Sequence, residues 1–277
     1  MQEPRQRTLR RLSEYGLRPN RELGQHFLLD DNLLGVIDRL AGLVPEDVVL
    51  EVGAGVGTLT EHLAAQVARV DAIEIDRRLE RALDEVLAEH PNVHLHWGDA
   101  MRLDLASFDP PPTAFVANLP YNVAAPLIIR SIDGLPHVRT WCCLVQKEAA
   151  DRFLAHASEP AYGAPSVLCG LAFEPAGRHA VSRSVFIPVP NVDSSLVAFR
   201  RRADWPAIAE IWPRVLALVS AAFAHRRKTL ANSLTLAGWA SRAEVERVCG
   251  VAGIDPRVRA EALEPDAFVA LLRARAA

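Results

Sequence analysis

The 277-residue chain is short of several things that commonly define a protein's class. No apolar run approaches the ~20 residues that a membrane-spanning helix requires, so none is expected. The N-terminus is charged from Arg5 onward and lacks the apolar stretch of a secretory signal, so the cytoplasm is the expected location. Cysteine is scarce. Cys142 and Cys143 are adjacent inside an apolar run, and Cys169 and Cys249 stand alone. None has metal-ligand spacing, and a disulfide framework would be out of place in a chain of this size. Buried, reduced thiols and no metal site are expected. Lysine is nearly missing, with only Lys147 and Lys228, so a preference for arginine runs through the whole chain and marks no particular site. There is no internal repeat and no low-complexity segment.

What is present suits a globular protein of one large domain and one small one. Half of the residues are apolar, enough to bury a sizeable core. The formal charge of −3 hides a segregation. Residues 1–21 carry six arginines against Glu3 and Glu14, and residues 178–228 carry nine basic residues against Asp193, Asp204 and Glu210. The stretch between them is strongly acidic. Two basic segments flanking an acidic body are candidate phosphate-contacting surfaces.

From residue 48 to about 146, buried strand-like runs alternate with helical patterns. Val48–Val52, Val70–Ile75, Val93–His96, Ala114–Ala117 and Trp141–Val145 read as strands, and 58–66, 77–89 and 123–132 as helices, with another helix over 30–43. This alternation predicts βαβ units and a parallel sheet covered on both faces. Later, His179–Val185 and Ser194–Arg200 read as strands around a Pro188–Pro190 turn. Trp205–Ala224 and Arg226–Gly238 read as helices. The expected organisation is a catalytic domain over 1–202, with a basic arm over 1–23, and a small helical domain over 203–277.

The first strand runs into Gly53-Ala-Gly-Val-Gly57 and then a helix. Glycines at such a turn let the backbone bend sharply and approach a ligand with no Cβ in the way. A glycine-rich strand–helix turn fits a dinucleotide or S-adenosylmethionine. Two features favour the latter. The spacing is Gly-x-Gly-x-Gly, and Glu51 precedes the first glycine, where it would repel a pyrophosphate but not a sulfonium cation. Glu74 closes the second strand about 20 residues on, where an acid can accept both ribose hydroxyls. Asp99 follows the third strand and suits the exocyclic amine of an adenine.

Asn118-Leu119-Pro120-Tyr121 follows the fourth strand, at the carboxyl end of a parallel sheet, where such folds bind ligands. The motif suits methylation of the N6 amine of adenine, whose lone pair is delocalised into the ring. The Asn118 side-chain oxygen and a backbone carbonyl near Leu119 can hold both amine protons and free that lone pair. Pro120 fixes the turn, and Tyr121 can stack on the base. No metal is called for, because the methyl group of a sulfonium is already electrophilic.

At this point the chain resembles the bacterial small-subunit (16S) ribosomal RNA adenine N6,N6-dimethyltransferase family. The resemblance rests on an ordered set: Gly24-Gln-His-Phe-Leu28, Glu51–Gly57, Ile73-Glu-Ile-Asp76, Gly98-Asp-Ala100, Asn118–Asn122, Gln146-Lys-Glu148, Phe186–Asp193 and Arg226-Arg-Lys-Thr-Leu230. It implies a Rossmann-like α/β S-adenosylmethionine-dependent domain with a small C-terminal α-helical domain. It implies that His26, Leu28, Gly53, Gly55, Glu74, Asp99 and Asn118 line the cofactor pocket, and that Phe186 packs on the target adenine opposite Tyr121. The implied substrate is two adjacent adenosines in the 3′-terminal hairpin of 16S rRNA in the immature small subunit, with the protein acting as a monomer. Arg226, Arg227 and Lys228 are the expected RNA contacts. Ala54, Ala164 and Asn191 depart from the family's usual residues. A large-subunit (23S) dimethyltransferase of the macrolide-resistance type, or a non-catalytic RNA-binding assembly factor on the same fold, are the alternatives.

Overall fold

Each of the five runs read as strands between 48 and 146 forms a strand in the computed structural model, which describes residues 4–276. The strands are β1 (Phe27–Leu28), β2 (Val48–Val52), β3 (Arg69–Glu74), β4 (Val93–Trp97), β5 (Ala114–Asn118), β6 (Thr140–Gln146), β7 (Phe173–Val181), β8 (Phe186–Ile187) and β9 (Ser194–Arg201). Seven make one sheet in the order β4-β3-β2-β5-β6-β9-β7. The pairs among β4, β3, β2, β5 and β6 are parallel, and β9 returns antiparallel to β6. All five residues of β2 are buried, as both faces of a covered sheet require. The chain leaves β2 toward β3 and β4 and comes back on its other side with β5. That reversal opens a crevice at the carboxyl ends of β2 and β5.

The helices are α1 (Pro4–Glu14), α2 (Asp31–Ala41), α3 (Thr58–Ala64), α4 (Glu80–Glu89), α5 (Ala124–Gly134), α6 (Lys147–Leu154), α7 (Ala164–Ala172), α8 (Trp205–Ala209), α9 (Trp212–Phe223), α10 (Leu230–Leu236), α11 (Arg242–Ala252) and α12 (Pro265–Ala276). Among the described residues, none is long and apolar enough to cross a membrane. All four cysteines are buried and free, and burial pushes the Cys142 thiol up to about 12.

Local chemistry explains where the expected elements shift. The helix expected over 205–224 is two helices, because Pro213 lacks an N–H and opens a new one at α9. The helix expected from Arg226 begins at Leu230. Thr229 caps it by accepting from the Asn232 N–H at 3.4 Å, which leaves Arg226–Lys228 in the preceding turn. The strand expected over 179–185 starts earlier, at Phe173, and stops at Val181, where Ser182 caps a short 3-10 turn.

Two compact units make up the chain: Met1–Ala150 with Pro175–Arg200, and Asp151–Glu174 with Arg201–Ala277. The expected boundary at 202/203 lies close to the last crossing, but the helical unit also includes residues 151–174. The reason is α7, apolar along most of its length, which packs on α9 and α12. Phe268, Leu271 and Leu272 of α12 and Val215, Leu218 and Val219 of α9 are buried in this unit's core.

The basic arm expected to reach for phosphate is in part an internal clamp. Arg7 pairs with Glu61 at 3.1 Å, and Arg10 with Glu85 at 2.5 Å. Arg11, only 1% exposed, donates to the Val56 carbonyl at 2.9 Å and also holds Glu61 and Glu85. The Arg10 guanidinium beside Glu85 holds its carboxyl down at about 2. A buried guanidinium survives only with such partners, so Arg11 is committed to the fold, while Arg7 and Arg10 brace the same two glutamates from its more exposed side. Arg5, Arg18 and Arg21 have no ion pair among the described residues.

Candidate active site

The crevice is a cavity of about 280 Å³ at the carboxyl ends of β2, β3, β4 and β5. Its floor is the glycine turn. Gly53 has φ +82°, and a Cβ there would face the Asn118 carbonyl at 3.6 Å. Gly57 has φ +86°, and a Cβ on it would come within 2.4 Å of Val86. The left-handed backbone favours glycine at both positions, and at Gly57 the Val86 side chain also leaves no room for a Cβ. Arg11 fastens this turn from outside through the Val56 carbonyl.

Among the described residues, three carboxyl groups line the cavity, Glu51, Glu74 and Asp99, and no lysine or arginine does. Glu74 is 4% exposed. Its Oε2 accepts the Gly55 N–H at 2.9 Å, and its Oε1 accepts those of Ile75 and Asp76 at 2.9 and 2.8 Å. Burial pushes its carboxyl up, against the pull of these three donors. Glu74 thus ties the glycine turn to the end of β3, a second role that its position in the sequence does not reveal. Asp99 is half-buried and accepts from the Met101 N–H at 2.9 Å. Glu51 is 1% exposed, and neither of its carboxyl oxygens has a hydrogen-bond partner. Burial pushes it up to about 8 against the pull of the facing Thr60 hydroxyl, and the nearby Glu74 adds to the rise. Glu51 is therefore mostly neutral at pH 7, and not the standing negative charge that its place before Gly53 suggests.

Asn118 stands at the end of β5 on the opposite wall. Its Nδ2 donates to the His26 carbonyl at 3.0 Å. The Leu119 N–H is taken by the Leu144 carbonyl at 3.1 Å. Tyr121 bonds Ser194 through its hydroxyl at 2.7 Å, and its ring stacks on His26 with centroids 5.3 Å apart. The Gly24–Leu28 segment stitches these parts together. Gln25 donates to Asp76 at 2.8 Å. His26 Nδ1 bonds the Pro188 carbonyl at 2.7 Å, and since that carbonyl can only accept, Nδ1 carries the proton. Phe27 covers Gly55, and Leu28 pairs with Phe186 across β1 and β8.

The cavity wall includes His26, Leu28, Gly53, Gly55, Glu74, Asp99, Asn118, Leu119, Pro120 and Tyr121 together. Phe186 is not on it. That ring is 2% exposed and sits in the hydrophobic core behind the wall with Leu28 and Val181. Alternation on a two-residue strand is too short to predict which way a ring faces. Arg226, Arg227 and Lys228 lie in the helical unit, exposed, with no ion pair among the described residues. Reading the sequence missed Ile75, an apolar side chain on the wall that is 49% exposed. Its signal was there: an isoleucine between two acids at a strand's end.

The residues suit S-adenosylmethionine on structural grounds. Gly53 and Gly55 on the wall leave room for a close approach, one buried carboxyl lacks a hydrogen bond, and a mostly apolar wall whose charged groups are carboxyls, with no lysine or arginine among the described residues, offers nothing to hold a polyphosphate. Comparison with known proteins points the same way. Residues 16–273 match the family model described as ribosomal RNA adenine dimethylase. The chain is 44% identical over 262 residues to ribosomal RNA small subunit methyltransferase A of Thermobifida fusca, covering 92% of this chain and 90% of that one. It is 45% identical over 251 residues to the protein of the same name from Kineococcus radiotolerans, covering 89% and 83%. Among solved structures, a dimethyladenosine transferase from Plasmodium falciparum shares the fold, with TM-score 0.74 at 24% identity over 90% of this chain and 96% of that one. The 23S rRNA methyltransferase ErmE matches with TM-score 0.64 at 29% identity, over 91% and 100%.

Proposed function

This chain belongs to the ribosomal RNA adenine dimethylase family, and from that membership we propose that it transfers methyl groups from S-adenosylmethionine to N6 of adenosine in small-subunit ribosomal RNA. Its targets are two adjacent adenosines of the 3′-terminal hairpin of 16S rRNA in the immature subunit, each carried to N6,N6-dimethyladenosine, and it works as a monomer. The observation that carries this reading is a single cavity in which a glycine-cradled, acid-lined half faces the Asn118–Tyr121 loop.

When bound, S-adenosylmethionine supplies a methyl group made electrophilic by its sulfonium. Gly53 and Gly55 let the main chain approach the donor. Glu74 accepts from a ribose hydroxyl with the one lone pair left over from its three backbone bonds, on Oε2. Asp99 accepts from the adenine amine, and Ile75 covers the adenine face. On the acceptor side, Asn118 Nδ2 is committed to the His26 carbonyl, so Oδ1 is left to take one N6 proton. A backbone carbonyl near Leu119 takes the other. Two acceptors draw the N–H bonds aside and leave the nitrogen lone pair directed along the line of attack. Tyr121, held by Ser194 and His26, offers its ring to the base. None of these groups has to take the proton. It leaves to water after transfer, when the nitrogen has become acidic, so catalysis is by position and fixed dipoles. Arg226, Arg227 and Lys228 hold RNA phosphates.

The test uses labelled S-adenosylmethionine with purified unmodified small subunits and, separately, large-subunit RNA. Label should appear as dimethyladenosine in the small subunit alone. Incorporation into large-subunit RNA instead would move the assignment to the macrolide-resistance type, toward which the resemblance is weaker, at 29% against 44% identity.

A further inference from the structure

Glu51 is the one carboxyl of the cavity wall that has no part in holding the donor or the base as described above. It lies on β2, walled in, with both oxygens unpartnered. The groups packed around it offer no cation. From α3 comes Thr60, whose hydroxyl faces the Glu51 carboxyl and favours its ionised form without closing a full hydrogen bond, and beside it Glu61, already held by Arg7 and Arg11. From β3 come Ala72, its register partner, and Glu74, whose charge disfavours a second carboxylate. Arg11, the buried guanidinium against α3, is committed to Glu61, Glu85 and the Val56 carbonyl. A carboxyl in such a place is stable only as the neutral acid. Yet it lines the cavity in which the donor sits.

The donor and its spent product share the nucleoside and the amino-acid portion. The glycine turn, Glu74 and Asp99 therefore hold the two alike. What differs is charge, since the sulfonium is cationic and the thioether left after transfer is not. Given the donor assigned above, on which this inference rests, we propose that Glu51 is the cation sensor of the donor pocket. It loses its proton when the sulfonium enters and regains one when the thioether is left, so the site holds the donor more tightly than the product. No bond to the donor forms at Glu51. On binding, the carboxylic acid ionises and its proton goes to solvent. After transfer the sulfur is neutral, the N6 proton has gone to water, and the orphaned carboxylate takes a proton back from solvent. A cation within ~4–6 Å favours a carboxylate about 10- to 1000-fold, enough to ionise a carboxyl that burial has pushed up to about 8. The product state leaves no uncompensated buried charge, so its release is not resisted.

The sign follows from the unbound state. Below about pH 8 the empty protein carries the Glu51 proton and has to lose it to bind the donor, so donor affinity rises with pH and levels off above that value. Calorimetric titration of the full chain at pH 7, in buffers of different ionisation enthalpy, should show about 0.4–0.9 proton released per S-adenosylmethionine bound, over the 10- to 1000-fold range. S-adenosylhomocysteine should release none beyond what the shared amino group contributes, and its affinity should stay flat where that of the donor climbs with pH up to about 8, by at most about tenfold per pH unit. Glu51→Gln, which imitates the neutral acid, should abolish the release and cut the donor-to-product affinity ratio tenfold or more. Glu74, also pushed up by burial, is the other group able to supply a proton, and release surviving in Glu51→Gln would transfer the role to it and overturn the proposal. Equal proton release by donor and product in the wild type would overturn it without any variant. Failure of the wild type to bind S-adenosylmethionine at all would instead strike the donor assignment.

Discussion

Removing the Glu74 carboxylate should damage both the empty protein and its donor affinity, by amounts that the hydrogen bonds set. Three backbone N–H groups, of Gly55, Ile75 and Asp76, end on this carboxylate at 2.8–2.9 Å. Glu74→Ala leaves them facing a hole in a site only 4% exposed. Each orphaned donor costs about 1–3 kcal/mol, reduced where water enters the hole, so an overall loss of ~2–4 kcal/mol in the empty protein is expected. Donor affinity should fall by at least ~1 kcal/mol, about fivefold, through the lost charge-assisted bond to the ribose. Glu74→Gln does not repair this. Its amide has one acceptor oxygen, so its NH₂ has to oppose either the Gly55 N–H or the pair from Ile75 and Asp76. The first is cheaper, and it loosens the glycine turn. Calorimetry with S-adenosylmethionine, alongside thermal unfolding of the empty protein, gives both numbers. A donor analogue lacking one ribose hydroxyl separates turn support from direct binding: wild type should lose affinity for it, and Glu74→Ala should lose little more. Affinity of Glu74→Ala within twofold of wild type, with unchanged unfolding, would refute both roles.

Asn118→Ala should abolish both methylations while RNA binding persists, as read by single-turnover rates and mass spectrometry of mono- and dimethyladenosine. Asn118→Asp puts a carboxylate oxygen against the His26 carbonyl, where Nδ2 donated, so its residual activity should rise as pH falls and the acid can donate there again. Replacing Arg226, Arg227 and Lys228 together with Ala should weaken RNA binding and flatten its salt dependence by ~0.7–0.9 log units for each phosphate no longer neutralised, with donor affinity unchanged; an unchanged slope would make them a plain solvated turn. Phe186→Ala should cost ~3–5 kcal/mol of stability, because the ring is in the core. A variant that unfolds like wild type but turns over slowly would return Phe186 to the base pocket.

Much of the site could be read from the order of residues alone, and the reason is locality. The glycine turn, Glu74, Asp99 and the Asn118 motif each stand at the carboxyl end of a strand, and strands of a covered parallel sheet announce themselves as short apolar runs. Once those runs line up in parallel, their ends have to meet. The Gly24–Leu28 segment was visible only through the family it resembles. Its work is done through Asp76, Asn118, Pro188 and Phe186, partners 51 to 162 positions away, and no local pattern encodes such partners.

Sequence by itself determined the βαβ sheet, the glycine turn after β2 and the Asn118–Tyr121 loop after β5, because side-chain alternation, glycine and proline act on their immediate neighbours. Tertiary structure alone decided the rest. It turned Arg7, Arg10 and Arg11 from a candidate RNA arm into a clamp by bringing Glu61 and Glu85 within reach. It placed α7 with the helical unit and put the Phe186 ring in the core. It also made Glu51 a neutral acid at pH 7, since whether a carboxyl keeps its charge depends on the water and partners around it in space.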